Sequence, residues 1–163
     1  MLIGILSDTH GRHLAVREAA ALFDKLRVDH VIHCGDVGGA AVFDELLGRP
    51  CTFVWGNMDC PSDDLLAYLK TVGLAAPDGV PTRVELDGKI FAVFHGHEGG
   101  IEAAIDALAV DYILHGHTHR ARDETIGGKR IINPGALHRA RRKTVATLDT
   151  ATAELTFYRV RGV

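Results

Sequence analysis

Short apolar runs alternate with helical stretches over the first 60 residues of the chain. Leu2–Leu6 is continuously apolar, which is typical of a strand buried on both faces of a sheet. Over residues 12–26 the apolar side chains recur at helical spacing and predict an amphipathic helix. Residues 30–33 and 51–55 predict further strands, with a short helix over 39–47 between them. Because strands alternate with helices, this region predicts parallel β–α–β units.

Strands predominate in the rest of the chain, and some of them are joined by tight turns. The predicted helices cover residues 63–72 and 101–109, and the predicted strands cover 81–86, 89–94, 112–114, 123–126, 129–132, 144–148 and 154–160. Asp87-Gly88 and Gly127-Gly128 each separate two neighbouring strands by two residues, which favours a hairpin. The chain from Arg120 onward therefore reads as antiparallel. We expect one α/β domain over residues 1–163, in which two sheets pack face to face with helices outside.

Side chains of the types that bind metal ions follow five of the predicted strands. The carboxyl ends of the strands in an open α/β sheet form its ligand-binding edge, so these side chains are expected to converge. They are Asp8 and His10, then Asp36, then Asn57 and Asp59, then His95 and His97, and finally His117 and His119.

The residue types indicate the cofactor. Imidazole and carboxylate groups without thiolates suit Mn²⁺, Fe or Zn²⁺, and the number of ligands exceeds what one ion needs. His117 and His119 are two residues apart, so they can reach separate ions about 3.5–4 Å apart. Asp36 is the natural bridging ligand. Neighbouring glycines are expected to let the backbone turn sharply and the substrate approach; they are Gly35, Gly56, Gly96 and Gly116.

Composition and charge restrict the partners. The formal net charge of −3 gives no electrostatic footprint for tight non-specific binding to nucleic acid, and aromatic residues are only 6% of the chain. Three cysteines fit a reducing compartment. The first apolar run reaches a polar Asp within a few residues, and no run is long enough to cross a bilayer. We therefore expect a cytoplasmic protein without membrane contact. These features are compatible with a homo-oligomer.

The ordered motifs resemble those of the calcineurin-like metallophosphoesterase superfamily. The motifs are Asp8-x-His10, Gly35-Asp36, Gly56-Asn57-x-Asp59, His95-Gly96-His97 and Gly116-His117-Thr118-His119. The short chain and Asn133-Pro134-Gly135 resemble its small YfcE-like phosphodiesterase branch. The resemblance extends from Met1 to about Ala136. It implies a four-layer αββα sandwich, with two mixed β-sheets flanked by helices, as in metallo-dependent phosphatases.

The same resemblance implies a role for each ligand. Three residues are expected to bind one divalent ion, three others a second ion, and Asp36 both. The first set is Asp8, His10 and His119, and the second set is Asn57, His95 and His117. The implied activity is hydrolysis of a small phosphodiester, most often with Mn²⁺, although Fe, Zn and Ni are alternatives.

In the expected mechanism, a hydroxide that bridges the two ions attacks phosphorus. Asp36 and Asn57 belong to this catalytic centre, His97 is the candidate proton donor to the leaving group, and Asp59 is expected to orient a ligand histidine. Met58 stands where family members often have Cys and where phosphomonoesterases have His. Because a thioether cannot act as an acid, diesters are favoured over monoesters. Ala136 stands where the family often has Ser, which removes a hydroxyl contact.

Structural roles are the alternatives for single residues. Asp8 could cap the following helix, Asp36 could be a turn residue and Asn57 an ordinary loop amide. His97 could be a supporting residue or a surface residue. His33 and His115 are expected to be structural. The basic residues 139–143 could form a solvated loop or contact an anionic substrate.

Two other functions are open for the whole chain. Some relatives on this fold, such as the small subunit of the retromer coat, act mainly as interaction scaffolds, and the superfamily also contains nucleases. All seven expected ligand positions carry a residue that can bind a metal ion, which favours an enzyme over a scaffold. No extended basic groove is evident for a nucleic-acid polymer.

Overall fold

The computed structural model describes residues 1–161; residues 162–163 of the predicted domain lie outside the described residues. The helices are α1 (His13–Leu26), α2 (Ala40–Asp44), α3 (Asp63–Thr71) and α4 (Ile101–Ala107). The strands are β1 (Leu2–Leu6), β2 (His30–His33), β3 (Cys51–Phe53), β4 (Thr82–Leu86), β5 (Lys89–Val93), β6 (Tyr112–Leu114), β7 (Arg122–Ile126), β8 (Lys129–Asn133), β9 (Thr144–Asp149) and β10 (Leu155–Arg159).

The described strands form two five-stranded sheets. The first has the order β10-β9-β1-β2-β3 and the second the order β4-β5-β6-β8-β7. β1, β2 and β3 are parallel, which confirms the prediction of parallel β–α–β units. Both predicted hairpins form, with positive φ at Asp87, Gly88, Gly127 and Gly128, as a tight two-residue turn requires.

The antiparallel prediction for the chain after Arg120 was wrong in one respect. β8 is antiparallel to its hairpin partner β7, but it is parallel to β6, with Ile113 opposite Ile131. β9 and β10 leave this sheet and join the first one, where β9 pairs antiparallel with β1. Sequence proximity identified the hairpin partners, whereas the choice of sheet depends on contacts between strands far apart in the chain.

Three apolar layers hold four layers of secondary structure together. Helices α1 to α3 cover the outer face of the first sheet, through residues such as Phe23 and Phe43. Ile3 and Ile5 of the first sheet meet Phe91 of the second between the two sheets. α4 covers the outer face of the second sheet, packing on Ala92, Ile113 and Ile131. The arrangement confirms the predicted αββα sandwich.

The described helices are short. α1 has 14 residues, and no described helix has both the length and the apolar character needed to span a bilayer.

Candidate metal centre

The loops after β1, β2, β3, β5 and β6 meet at one edge of the sandwich, as the motif positions predicted. The Asp8 N–H donates to the Gly35 carbonyl at 3.0 Å, which joins the first two loops. The Gly116 N–H donates to the His95 carbonyl at 2.9 Å, which joins the loops of the second sheet. The ring Nδ1 of His95 lies 2.8 Å from the Cys34 carbonyl and connects the two sheets.

Asp8, His10 and His119 form a first group of candidate ligands, with one ligand atom from each within 4.8 Å of the others. His119 Nε2 lies 3.1 Å from Asp8 Oδ1. Asp8 Oδ1 and His10 Nε2 are nevertheless buried without a hydrogen-bond partner. Buried polar atoms without a partner are costly, and a cation bound between them would satisfy both.

Asp36 and His95 form a second group with Asp8, under the same 4.8 Å limit. Asp36 Oδ2 lies 3.4 Å from His10 Nε2 and also 3.4 Å from His95 Nε2. Asn57 Oδ1 lies 3.2 Å from His95 Nε2, and the His117 ring centroid lies 5.1 Å from that of His95. One oxygen of Asp36 therefore faces both groups.

The two buried carboxylates each use one oxygen for structure and present the other to the centre. Asp8 Oδ2 accepts hydrogen bonds from the Ser7 hydroxyl at 2.6 Å and the His117 N–H at 3.1 Å, which leaves Oδ1 facing His119. Asp36 Oδ1 accepts the Met58 N–H at 2.9 Å, which leaves Oδ2 facing the histidines. This arrangement holds both carboxylates in place for a cation.

The donor set fits divalent metal ions. The converging atoms are carboxylate oxygens, imidazole nitrogens and an amide oxygen, which suit Mn²⁺, Fe, Zn²⁺ or Ni²⁺. Among the described residues, no thiol belongs to the candidate ligand groups. Cys34 contacts His95 through its backbone carbonyl, and burial raises the pKa of its thiol. When the His95 Nδ1 proton is donated to that carbonyl, the Nε2 lone pair faces the centre, as a metal-binding histidine requires.

Backbone strain is concentrated at the candidate ligands. Five of them have φ values between 45° and 65°, in the left-handed region that residues other than glycine seldom adopt: Asp8, His10, Asp36, His117 and His119. Each such residue costs about 1 kcal/mol or more, and surrounding contacts must hold it there. Strain of this kind is typical of functional sites.

His33 is structural, as expected. Its buried ring accepts the Gly35 N–H at Nδ1, and its Nε2 lies 2.9 Å from Thr9 Oγ1. The Thr9 hydroxyl in turn lies 2.8 Å from the Val37 carbonyl. Burial, reinforced by nearby His95 and His10, lowers the pKa of His33 to about 3, so the ring stays neutral. The neutral ring joins the loops after β1 and β2.

Asp59 contacts the backbone and not a ligand histidine, which corrects the role expected for it. Its Oδ2 accepts the Val37 N–H at 3.0 Å and the Gly56 N–H at 2.8 Å, and its Oδ1 accepts the Gly38 N–H at 2.9 Å. The carboxylate therefore ties the loop after β2 to the loop after β3, and these loops carry Asp36 and Asn57.

Asn133 supports the loop of His117 and His119, a role that the sequence prediction missed. Its amide donates to the Gly116 carbonyl at 2.8 Å and to Thr118 Oγ1 at 3.1 Å. Its oxygen accepts the Gly135 N–H at 2.9 Å. The available signal was the motif Asn133-Pro134-Gly135, which the sequence linked to the family but to no contact.

Two histidines lie beside the candidate ligands. The His97 ring centroid lies 5.5 Å from that of His95 and 6.2 Å from that of His117, and its side chain is 37% exposed. His138 was not predicted to be near the centre, yet its ring centroid lies 5.1 Å from that of His10. No local pattern marked His138, because only the tertiary fold brings it there.

Glycines near the centre make room for ligand side chains. A Cβ on Gly56 would lie 2.1 Å from Asp36 Oδ1, and a Cβ on Gly116 would lie 1.9 Å from the Ser7 hydroxyl and 2.7 Å from Asp8 Oδ2. These distances are shorter than any real contact, so only glycine fits. The sequence predicted that the substrate would approach at these positions, whereas the groups that lie there are the Asp36 carboxylate beside Gly56 and the Ser7 hydroxyl with the Asp8 carboxylate beside Gly116.

The chain is similar to known proteins over most of its length. Residues 1–153 match the model of the calcineurin-like phosphoesterase superfamily domain. The chain is 33% identical over 159 residues to a Methanocaldococcus jannaschii protein named Phosphodiesterase MJ0936, covering 94% of this chain and 96% of the relative.

Solved structures give the same result. An archaeal phosphodiesterase is similar with a TM-score of 0.89 and 32% identity, covering 98% of this chain and 100% of that chain. YfcE, a phosphoesterase from E. coli, shares the fold with a TM-score of 0.70 and 22% identity, covering 99% of this chain and 100% of that chain. These matches confirm the resemblance read from the motifs. The chain belongs to the calcineurin-like phosphoesterase superfamily of metal-dependent phosphoester hydrolases.

Proposed function

We propose that the chain hydrolyses a small phosphodiester at a centre of two divalent metal ions. The observation that carries the proposal is the position of Asp36 Oδ2, which is 3.4 Å from His10 Nε2 and 3.4 Å from His95 Nε2. A carboxylate oxygen between two imidazoles from different sheets is suited to bridge two cations.

Each ion would have its own ligands in addition to Asp36. Asp8, His10 and His119 would hold the first ion, which would satisfy the orphaned Asp8 Oδ1 and His10 Nε2. Asn57, His95 and His117 would hold the second, and both Asn57 and His117 are exposed. Mn²⁺ is the proposed physiological ion, with Fe, Zn and Ni as alternatives that suit the same donors.

When bound, two such ions supply a hydroxide near neutral pH and offset the charge on the phosphoryl oxygens. The residues of the chain hold the geometry for this reaction. Asp8 and Asp36 are each held by hydrogen bonds at one oxygen, and His95 is oriented by the Cys34 carbonyl. Because these contacts exist before substrate binds, little reorganisation is needed during the reaction.

Diesters are the proposed substrates because position 58 carries a methionine. Met58 is 64% exposed beside the centre, and its thioether cannot donate a proton to a leaving group. The name of the Methanocaldococcus jannaschii relative also supports a phosphodiesterase. Two cavities of about 590 Å³ and 670 Å³ flank the centre, a size that suits small ligands.

The decisive experiment measures metal content and hydrolysis of bis(4-nitrophenyl) phosphate with Mn²⁺, Fe²⁺, Zn²⁺ and Ni²⁺. We expect about two ions per chain, and we expect Asp36→Asn to lower kcat/KM by about 10³-fold or more, since the ions contribute several kcal/mol. The control is Asp106→Asn, an exposed carboxylate on α4, which should leave metal content and turnover unchanged.

Other outcomes would favour the alternative functions. Bound metal without turnover under all four ions would favour an interaction scaffold. Tight binding of single-stranded DNA that weakens steeply with salt would favour a nuclease.

His97 is the proposed proton donor to the leaving alkoxide. We expect His97→Ala to slow esters with poor alkyl leaving groups by about 10²-fold or more, because general acid catalysis typically contributes that much. 4-Nitrophenolate leaves without needing a proton, so hydrolysis of 4-nitrophenyl esters should change little. Equal effects on both kinds of ester would contradict this role.

We further propose that residues 1–163 act as one domain in the cytoplasm, with self-association into a homo-oligomer as an option. A single cooperative unfolding transition would support one domain. Sedimentation velocity would measure the oligomeric state.

A further inference from the structure

A cavity lined by arginines lies beside the candidate metal centre, on the side of His119. Its volume is about 670 Å³. Thr118, His119 and Arg120 form one wall, and the loop between β8 and β9 forms another through Arg139, Arg141 and Arg142. Four arginines from two loops therefore surround one space.

The positive charge of this cavity has no ion-pair partner among the described residues. Within residues 1–161, none of these four guanidinium groups forms an ion pair with a carboxylate, and all four residues are exposed. Four arginines elsewhere in the described chain are paired with acids, Arg17 with Glu45, Arg49 with Asp24, Arg122 with Glu124 and Arg130 with Asp123, whereas the unpaired Arg27 and Arg83 do not line this cavity. Unpaired like charges around one space repel one another, and a bound anion would remove that cost.

The cavity adjoins the candidate centre at His119. His119 is a proposed ligand of the first ion, and it also lines the cavity. A substrate whose phosphoryl group lies at the ions can therefore extend one of its ester arms past His119 toward the arginines.

A cavity on the Asn57 side of the centre has a different character. It is lined by Trp55, Met58 and Tyr68, together with the carboxylates Asp59 and Asp64. An anionic arm would be repelled there and attracted on the arginine side. The two sides of the centre thus differ in the charge of the arm that each accepts.

We propose that the arginine-lined cavity binds a second phosphate group, carried on one ester arm of the phosphodiester substrate. Guanidinium groups match phosphate oxygens in pairs of parallel hydrogen bonds, which makes arginine suited to this role. The proposal rests on the phosphodiesterase activity proposed above and adds the chemical class of its substrate.

A matched pair of substrates tests the proposal: thymidine 5′-(4-nitrophenyl phosphate) and the same compound with a 3′-phosphate. With the Mn²⁺-loaded protein, kcat/KM for the 3′-phosphorylated compound should be higher by about tenfold, as expected for one or two charge-assisted hydrogen bonds. In Arg141→Ala/Arg142→Ala the ratio of the two values should approach one. The control, Arg27→Ala/Arg83→Ala, removes the same charge from exposed sites outside the cavity and should keep the ratio.

Binding to the metal-free protein gives an independent measurement. Thymidine 3′,5′-bisphosphate should bind to protein in excess chelator, as measured by calorimetry. Its affinity should fall by about fivefold to tenfold in Arg141→Ala/Arg142→Ala and stay unchanged in the control.

The possible failures can be told apart. If neither nitrophenyl ester is hydrolysed with any of the four metal ions, the proposed activity is wrong. If both esters are hydrolysed at equal rates, and the bisphosphate binds equally to the wild type and to both double variants, only the second-phosphate site is wrong.

Discussion

The candidate ligands break local structural rules that most residues obey. Asp8 and His10 combine a left-handed backbone with a buried atom that has no hydrogen-bond partner. Both features cost free energy, and the Ser7 and His117 contacts to Asp8 hold it in place despite the cost. Metal ions would recover part of this free energy, so bound metal should stabilise the folded protein.

At the residue scale, Gly56→Ala tests whether glycine is required beside the bridging carboxylate. The new methyl group would lie 2.1 Å from Asp36 Oδ1 and 2.4 Å from the Asp36 backbone nitrogen, so the loop must move. We expect a loss of about 2–3 kcal/mol of stability, or roughly 5–10 °C in Tm, together with weaker metal retention.

Gly79→Ala is the matched control for this variant. A Cβ there would meet nothing within 4 Å, and φ at Gly79 is not in the left-handed region. Differential scanning calorimetry with and without Mn²⁺ should show no loss for this variant. Equal stability of the two glycine variants would refute the steric argument.

At the scale of elements, the site depends on loops that are fastened to one another. Asp59 fastens the loop after β3 to the loop after β2, and His33 with Thr9 fastens the latter to the loop after β1. Asn133, at the end of β8, holds the loop after β6 through its hydrogen bond to the Gly116 carbonyl. The strands bring the loops to one edge, and these polar contacts set the distances between ligands.

Asp59→Asn tests this fastening. An amide offers one acceptor oxygen in place of two, so at least one of the three backbone amides that Asp59 accepts would lose its partner. We expect Mn²⁺ affinity to fall about 10–100-fold, the usual effect of losing a residue that supports metal ligands. Turnover at saturating Mn²⁺ should fall much less.

Asp63→Asn serves as the control, because Asp63 is exposed at the start of α3. Isothermal titration calorimetry of Mn²⁺ into metal-free protein measures the Mn²⁺ affinity of the wild type, of Asp59→Asn and of Asp63→Asn. An Asp59→Asn protein with wild-type affinity would show that the loops hold their positions without this carboxylate.

At the scale of the whole molecule, the centre lies where two sheets meet, and its stability depends on pH. The fully buried His33 is neutral in the folded chain because burial lowers its pKa from 6.5 to about 3. The unfolded chain takes up this proton first as the pH falls. The stability contributed by neutral His33 is therefore complete above pH 6.5 and is lost as the pH falls toward about 3.

His33→Gln should remove this part of the pH dependence. In the wild-type protein, the free energy of unfolding should fall by about 2 kcal/mol between pH 7 and pH 5 because of His33 alone. Urea unfolding of metal-free protein at several pH values would measure the slope for both proteins. Parallel slopes would mean that His33 is protonated in the folded state as readily as in the unfolded chain.

Local patterns in the chain were enough to predict the order of most elements, the αββα class through its motifs, and which side chains would follow the strands at the candidate metal centre. These features depend on local periodicity, on turn residues such as Asp87-Gly88 and on ligand types at strand ends, and a linear sequence shows them directly.

The parallel pairing of β8 with β6 and the return of β9 to the first sheet could not be predicted from local patterns. The same is true of the contacts of Asp59 and of the approach of His138 to His10. Each of these joins residues far apart in the chain, and such contacts are selected by the packing of whole layers, which no local pattern encodes.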